Sequence, residues 1–398
     1  MERRPAQELS PDLPPALEAL MIRRRPPRGP SLRLWAGGDV GFSGTLAAEA
    51  SRVGAGPLEP VASALRGGDV VFANLETPLI PERGPKDLFA APPQAAQRLA
   101  AAGFDLLHLA NNHIRDFGGA GLAATLRSLE GAEILGLGAG ESPDQARGPV
   151  VLERRGLRLG WLGCGRTLQD QEAPGPVFWE YQPEELLEAV RRSAPSVDHL
   201  AVSIHLGFMF VDYPHPDHRR LALELADAGA DLVLMHHAHV LQGTEVTQSG
   251  AVICYNLGNL LFDWTEGEVP GRQAVEHQRS GALFGFDLDG AGVARAFALP
   301  TRIGDDLQLR WATGGTGRRI LDRLESISDF ADKSYEAEFW RQRASRNTGQ
   351  TLETLGRKLR RGDLGALLEG ARRLRPHHLG MLLRWLGGRW SQRGEPVK

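Results

Sequence analysis

Three histidines in four residues follow a short apolar run in the segment Asp231–Gln242, which reads DLVLMHHAHVLQ. The apolar run, Leu232–Met235, is long enough for a buried parallel strand and too short for a helix. His237 and His239 are two residues apart, and in extended or turning chain this spacing can bring both imidazoles to one centre. A pair of partly buried structural histidines is the alternative, but a cluster at the end of a strand favours metal binding.

The same pattern recurs along the chain, because four other apolar runs end in a side chain that can bind a metal. In an open α/β sheet, ligands bind outside the carboxyl ends of the strands. Composition alone would scatter such residues along strands and helices instead of collecting them at strand ends. We therefore predict a metal centre built from Asp39, Glu76, Asn112, His205, His237 and His239.

This mixture of carboxylate, carboxamide and imidazole suits Mn, Fe or Zn better than calcium, which prefers oxygen ligands. We expect one or two divalent metal ions, because one carboxylate can bridge two ions about 3.5–4 Å apart. His113 adjoins the predicted ligand Asn112, and Asp116 follows three residues later. We predict that these two are catalytic, with His113 as general acid or base and Asp116 orienting its ring. The alternative is a core histidine that Asp116 satisfies.

The elements that must position these residues alternate along the chain. From Leu32 to His239, strand-like apolar runs, polar turns and helical segments follow one another, which indicates a parallel sheet with helices on its faces. From Val246 to Leu299 the strands lack intervening helices, which indicates antiparallel pairing. The predicted fold class is α/β, with a core of mixed β-sheets flanked by helices and a helical C-terminal extension.

Composition divides the chain into three regions. Residues 1–30 are rich in proline and arginine and are predicted to be a flexible leader. Residues 31–313 hold all the candidate site residues. Residues 318–398 are predicted to be a basic helical region, with 18 Lys/Arg against 10 Asp/Glu. Their end, HHLGMLLRWLGGRW, can contact a membrane peripherally, although a helix packed on the core is favoured.

The overall composition limits the partners. The formal net charge of −3 points to no nucleic-acid partner, and the apolar and charged fractions are those of an ordinary globular protein. Two cysteines suggest no disulfide framework, which fits a reducing compartment. We see no secretory signal and no apolar run long enough to span a membrane. We therefore expect a cytoplasmic protein.

Six motifs together resemble one known family. GGDVGFSG, ANLETPL, LANNHIRDFG, HLG, HHAHVLQG and YNLGNLLFD are similar to those of the CapA-type poly-γ-glutamate capsule synthesis proteins, within the calcineurin-like metallophosphoesterase superfamily. The resemblance covers about Leu32 to Phe286 and implies that residues 31–313 form a CapA-like metallophosphoesterase-type domain. Where the family commonly has Trp and Glu around the HLG motif, this chain has Leu206 and Met209, which concerns the substrate more than the metal chemistry.

The resemblance also implies roles for individual residues. Glu76 would bridge two metal ions, with Asn112, His205 and His237 completing one site and Asp39 and His239 serving the other. His113 would match the catalytic histidine. From the same motifs we expect Asn74, His236 and Asn259 to contact the substrate.

Three functions remain open on these grounds. The first is a metal-dependent hydrolase acting on a phosphoester or on a polyglutamate- or peptide-like substrate, related to capsule poly-γ-glutamate synthesis. The second is a metal-dependent peptide epimerase of a natural-product pathway, acting by α-proton abstraction. The third is a non-catalytic, metal-stabilised capsule assembly factor. The partner in the first two cases is a small-molecule or peptide substrate, and the sequence does not indicate an oligomeric state.

Overall fold

The structure, a computed structural model, describes residues 1–50, 53–82, 84, 89–167, 175–263, 276–330 and 334–346. The chain divides into two compact units, Met1–Ala331 and Asp332–Lys398. All the candidate site residues belong to the first unit. In the second unit, the described residues form a helix over 334–346.

The described part of the first unit contains strands and helices in alternation. In chain order the strands are β1 (Glu2–Pro5), β2 (Glu18–Arg24), β3 (Ser31–Gly41), β4 (Val70–Leu75), β5 (Leu106–His108), β6 (Leu135–Leu137), β7 (Ala139–Gly140), β8 (Val150–Arg154), β9 (Leu157–Gly165), β10 (Val177–Phe178), β11 (His199–His205), β12 (Leu232–His236), β13 (Thr244–Val246), β14 (Val252–Cys254), β15 (Asn259–Phe262), β16 (Ser280–Asp289), β17 (Gly292–Ile303) and β18 (Leu309–Trp311). The α-helices are α1 (Gly44–Glu49), α2 (Glu59–Arg66), α3 (Ala95–Ala102), α4 (Gly118–Glu130), α5 (Pro143–Arg147), α6 (Pro183–Ser193), α7 (Pro216–Asp227), α8 (Glu276–Arg279) and α9 (Gly314–Ser326).

The strands form two large mixed sheets and one small two-stranded sheet. The first large sheet has the order β1-β2-β17-β16-β3-β4-β5-β6, with β15 beside β3 and β18 beside β17. Its strands β3, β4, β5 and β6 are parallel, whereas β16 and β17 pair antiparallel. The second has the order β13-β14-β12-β11-β9-β8, with parallel pairing from β9 through β11 and β12 to β14. The α/β class with mixed sheets is therefore confirmed.

The two large sheets pack face to face. Leu34 and Phe72 from the first sheet share one buried cluster with Trp161 and Leu234 from the second. The rings of Phe72 and Trp161 stack with centroids 4.5 Å apart. Helices α2, α3 and α4 cover the outer face of the first sheet, and α6 and α7 pack on the second. Because both faces of each sheet are covered, the parallel strands consist of almost uninterrupted apolar residues.

The prediction of a flexible leader over residues 1–30 is wrong. Strands β1 and β2 form an antiparallel pair, and β2 extends the first sheet by pairing with β17. Leu20 is fully buried, and Arg25 donates two hydrogen bonds, of 2.7 and 2.6 Å, to the carboxylate of Asp289. The high proline and arginine content concealed the apolar centre of β2, since the prolines lie mainly in the segments that connect the strands.

The boundary predicted near residues 313–318 also needs correction. Helix α9 begins at Gly314, between the predicted regions 31–313 and 318–398, and its residues Ile320, Leu321 and Leu324 belong to the buried cluster between the sheets. The first unit therefore continues to Ala331, beyond the predicted end of the core domain. Residues 347–398, which include most of the predicted basic helical region, lie outside the described residues. Among the helices that the structure describes, none is long and apolar enough to cross a membrane.

The packing of β2 gives a first testable prediction. Replacing Leu20 by alanine should lower the free energy of unfolding by about 2–5 kcal/mol, because it leaves a cavity in a fully buried cluster. Arg24→Ala, on the exposed end of the same strand, is the control and should change stability by no more than about 0.5 kcal/mol. Urea denaturation measures both. Equal stability of the two variants would show that residues 18–24 are dispensable for the fold.

Candidate metal centre

The six predicted ligands meet at the carboxyl ends of five strands. Asp39 lies near the end of β3, and His205 is the last residue of β11. Glu76 follows β4, and Asn112 lies in the turn beyond β5. His237 and His239 follow β12. The first sheet thus contributes Asp39, Glu76 and Asn112, and the second contributes the three histidines.

The first ligand group consists of Glu76, His205 and His237. His205 Nε2 lies 3.1 Å from His237 Nδ1 and 3.7 Å from Glu76 Oε1. Asn112 joins this group, because its Oδ1 lies 2.7 Å from the same His205 Nε2. Two imidazole nitrogens, a carboxylate oxygen and a carboxamide oxygen therefore face one another.

The second ligand group consists of Asp39, Glu76 and His239. His239 Nε2 lies 3.4 Å from Glu76 Oε1, and His239 Nδ1 lies 3.3 Å from Asp39 Oδ2. Glu76 belongs to both groups. A carboxylate shared in this way can bridge two metal ions.

The surroundings of Glu76 fit a bound cation. Its side chain is fully buried, and neither carboxylate oxygen accepts a hydrogen bond from any residue that the structure describes. Burial raises the pKa of Glu76, since it penalises the charged form, and the nearby Asp39 carboxylate acts in the same direction. Burying a carboxylate away from water costs free energy, and a bound metal ion would stabilise its negative charge.

Two of the histidines are in the form that a metal ion needs. Burial lowers the pKa of His237 to about 3 and that of His205 well below its usual value. Both imidazoles are therefore neutral near pH 7, with lone pairs available for coordination. His239 differs: burial lowers its pKa, but the Glu76 and Asp39 carboxylates outweigh burial and raise the pKa to about 9. In the absence of a cation, the His239–Glu76 pair thus holds a proton.

The backbone after β12 adopts positive φ angles that residues other than glycine rarely adopt. His237 has φ of 94° and His239 has φ of 56°. Positive φ at a residue with a Cβ is strained, and such strain concentrates at functional sites. Here the two left-handed residues turn the chain so that both imidazoles face the ligand groups.

The three residues predicted to contact substrate are buried behind the candidate ligands, and none of them lines the cleft described below. Asn74, His236 and Asn259 are at most 2% exposed and lie beneath the ligands. Asn74 donates a 2.8 Å hydrogen bond to Asp39 Oδ1, and His236 Nδ1 lies 3.3 Å from the same oxygen. Asn259 Oδ1 lies 2.9 Å from His239 Nδ1. All three orient ligands, a role that sequence spacing alone cannot distinguish from substrate contact.

The predicted catalytic pair is brought together beside the ligands. His113 Nδ1 lies 2.7 Å from Asp116 Oδ2, and His113 Nε2 lies 3.9 Å from Glu76 Oε1. The ring of Phe89 stacks on the His113 imidazole with centroids 4.0 Å apart. The imidazole is therefore oriented from two sides, with Nε2 towards the ligand groups.

A cleft of about 690 Å³ opens beside this pair and the first ligand group. Its lining includes residues that sequence reasoning did not select, notably Arg166, Phe208 and His218. Arg166 follows the end of β9, which is parallel to β11. Ligands bind outside the carboxyl ends of parallel strands, so recognising β9 as a parallel strand would predict Arg166 as a site residue. The lining residues are Asn112, His113, Asp116, Arg166, Thr167, His205, Leu206, Gly207, Phe208, Met209, His218 and His237.

Comparison with known proteins identifies similar sequences. A family model described as "Bacterial capsule synthesis protein PGA_cap" matches residues 33–264, which include every candidate ligand. "Capsule biosynthesis protein CapA" of Bacillus anthracis is 31% identical over 255 residues, covering 60% of this chain and 59% of that protein. "PGA biosynthesis protein CapA" of Bacillus subtilis (strain 168) is 28% identical over 257 residues, covering 62% and 64%. The chain thus spans less than two thirds of the length of these two relatives.

Two solved structures resemble the chain more distantly. A hypothetical protein from Thermus thermophilus has 17% sequence identity and a TM-score of 0.45, covering 68% of this chain and 98% of the other. The calcineurin-like phosphoesterase YfkN from Bacillus subtilis has 15% identity and a TM-score of 0.40, covering 75% and 97%.

The shared position of Glu76 predicts how the ligand groups respond to substitution. Glu76→Gln should remove metal from both groups, whereas His237→Ala should affect only the first group and His239→Ala only the second. His218→Ala removes an imidazole from the same cleft without touching either group, so it should retain the wild-type metal content. Elemental analysis after expression in metal-replete medium measures the outcome. Full metal content in Glu76→Gln would rule out the bridging position.

The proton on the His239–Glu76 pair predicts a pH dependence of metal binding. Below pH about 9 the second group must release one proton when a metal ion binds, because the raised pKa keeps that proton in place. Its apparent affinity should therefore fall by about tenfold for each pH unit below that value. Calorimetry in buffers of different ionisation enthalpy measures the released protons. A pH-independent affinity between pH 6 and 8, by contrast, would mean that the pair binds no proton.

Proposed function

Because the chain belongs to the bacterial capsule synthesis protein family PGA_cap, we propose that it is a metal-dependent hydrolase of the metallophosphoesterase type. The proposed substrate is a phosphoester or a polyglutamate- or peptide-like molecule of capsule poly-γ-glutamate synthesis. The observation that carries the proposal is the buried carboxylate of Glu76, which is shared by two ligand groups and faces an oriented histidine.

The donor set supports divalent transition-metal ions at this centre. Imidazole nitrogens together with carboxylate and carboxamide oxygens suit Mn, Fe or Zn. When bound, such ions would supply Lewis acidity at the scissile group. The protein's part is to hold the ligands in a dry environment, which the burial of Asp39, Glu76 and His239 provides.

His113 is the proposed proton-transfer residue. Its Nε2 faces the ligand groups, while Asp116 receives the Nδ1–H and holds one tautomer. Stacking on Phe89 keeps the ring from rotating away. In this arrangement His113 can give a proton to the leaving group at Nε2, and Asp116 stabilises the imidazolium that is needed to do so.

The names of the relatives support the other two functions unequally. The relatives named above carry capsule or PGA biosynthesis in their names, and none of those names describes an epimerase. A further relative, from Mycobacterium tuberculosis, is named "Probable polyglutamine synthesis accessory protein" and is 28% identical over 221 residues. A non-catalytic role is therefore kept as one outcome of the test below.

Three substitutions test the proposed roles. His113→Ala should lower turnover by about 10²–10⁴-fold with little change in metal content, because it removes proton transfer and no ligand. His237→Ala should lose the metal of the first ligand group and, with it, turnover. Asp116→Asn should reduce turnover less than His113→Ala, since it misorients the imidazole without removing it. Metal content, melting temperature and turnover of p-nitrophenyl phosphate and of a γ-linked glutamate oligomer are measured on each variant.

His199→Ala is the matched control, because His199 is a buried histidine at the opposite end of β11 from His205. It should lower the melting temperature and leave metal content and turnover per folded molecule intact. Equal metal loss in His113→Ala and His237→Ala would make His113 a ligand and reject its proposed role. Metal binding without turnover of either substrate would support the accessory role, and solvent deuterium uptake into a peptide without cleavage would support the epimerase.

A further inference from the structure

One parallel strand of the second sheet, β9, is followed by an arginine instead of a candidate metal ligand. Strand β9 ends at Gly165, which pairs in register with the ligand His205 on β11. Arg166 follows, and its backbone N–H donates a 3.2 Å hydrogen bond to the carbonyl oxygen of His205. Arg166 is therefore held directly beside the metal centre by the sheet itself.

The guanidinium of Arg166 is positioned by stacking. It lies over the ring of Tyr181, 5.7 Å from the centroid, and the Tyr181 N–H bonds to the Gly165 carbonyl oxygen at 2.7 Å. Within the described residues, no carboxylate lies at ion-pair distance from Arg166. Other arginines, such as Arg25 and Arg219, each donate two hydrogen bonds to one carboxylate. A guanidinium held by its face keeps its N–H edges available for a planar anion.

The other described side chains that line the cleft carry no permanent positive charge. His218 lines the same wall, and burial lowers its pKa to about 4, so the imidazole is neutral near pH 7. Phe208 stacks on His218 at 6.2 Å with the rings 10° from parallel. Arg166 is accordingly the one permanently charged cation among the described lining residues.

The apolar wall of the cleft is held in place. Phe210 has φ of 64° and donates a 2.8 Å hydrogen bond to the carbonyl oxygen of Ala238, within the HHAH turn. Gln242 donates to the carbonyl oxygens of Val211 at 2.7 Å and Tyr213 at 3.0 Å. These hydrogen bonds connect the segment that carries Phe208 to the turn that carries His237 and His239. The apolar side of the cleft is therefore preformed.

We propose that Arg166 and the face of Phe208 form a binding subsite for an anionic group of the substrate, a carboxylate or a phosphate, distinct from the group that reacts at the metal centre. The subsite rests on the proposed function, because it takes the cleft to be where the substrate binds. Arg166 binds the anion through its N–H edges, and Phe208 contacts the apolar part of the substrate that connects the two groups.

Equilibrium binding tests the subsite. The full-length, metal-replete protein is titrated by calorimetry with a γ-linked glutamate trimer, with its fully amidated analogue and with inorganic phosphate. The wild-type protein should bind the trimer about 10-fold more tightly than the amide. Arg166→Gln should lose that advantage, and Arg166→Lys should keep part of it because the charge remains. Arg191→Gln, an exposed arginine on α6 outside the cleft, is the matched control and should bind like wild type.

The outcomes separate the two sources of the anion. Loss of trimer affinity in Arg166→Gln identifies a carboxylate, whereas loss of phosphate affinity alone identifies a phosphate. The proposal is overturned if Arg166→Gln binds all three probes like wild type, or if no probe binds the wild-type protein at millimolar concentration.

The experiment tests the proposed hydrolase function and the proposed subsite separately. Arg166-dependent binding without turnover would reject hydrolysis and leave the subsite standing. Turnover that is unaffected by Arg166→Gln, together with unchanged binding, would reject the subsite alone. The melting temperature of Arg166→Gln should equal that of wild type, since the side chain is exposed, and this excludes misfolding as the cause of an effect.

Discussion

A buried carboxylate without a hydrogen-bond donor is the constraint on which the centre depends. Glu76 is fully enclosed, yet neither of its oxygens accepts a hydrogen bond from a described residue, and imidazoles approach it at 3.4 to 3.9 Å. Such a group raises the free energy of the folded chain unless a cation is near. The neutral state of His205 and His237 makes them suitable as ligands for that cation. The stability of this region and the chemistry of the centre are therefore linked through one side chain.

The two candidate ligand groups form only where the two large sheets meet. Each ligand group takes carboxylates from the first sheet and histidines from the second. The stacked rings of Phe72 and Trp161 and the shared buried cluster set the separation of the sheets. A change in this packing would move Glu76 relative to His205 and His239, so the core between the sheets determines ligand geometry as directly as the ligands do.

A second layer of buried polar residues orients the side chains of the candidate ligands. Asn74 and His236 act on Asp39, and Asn259 acts on His239. Asp116 has the same relation to His113 on the side of the cleft. Polar side chains that fix the rotamer of a ligand lower the cost of ordering it when an ion binds. Arg166 lies beside the candidate ligands as well, because its backbone N–H, just after β9, is hydrogen-bonded to the carbonyl oxygen of His205.

The sequence by itself determined the α/β class, the alternation of strands and helices, and the placing of six candidate ligands at strand ends, because these depend on local periodicity and on residue chemistry. It could not identify β2, since prolines and arginines around a short apolar centre resemble a leader until β17 supplies the pairing partner. It also could not tell Asn74, His236 and Asn259 from substrate-binding residues. Neighbours of a ligand in sequence can face the cleft or the core, and only the packing of two sheets decides which. For the same reason Arg166 escaped selection, because its place beside His205 arises from the pairing of β9 with β11, a contact between residues far apart in the chain.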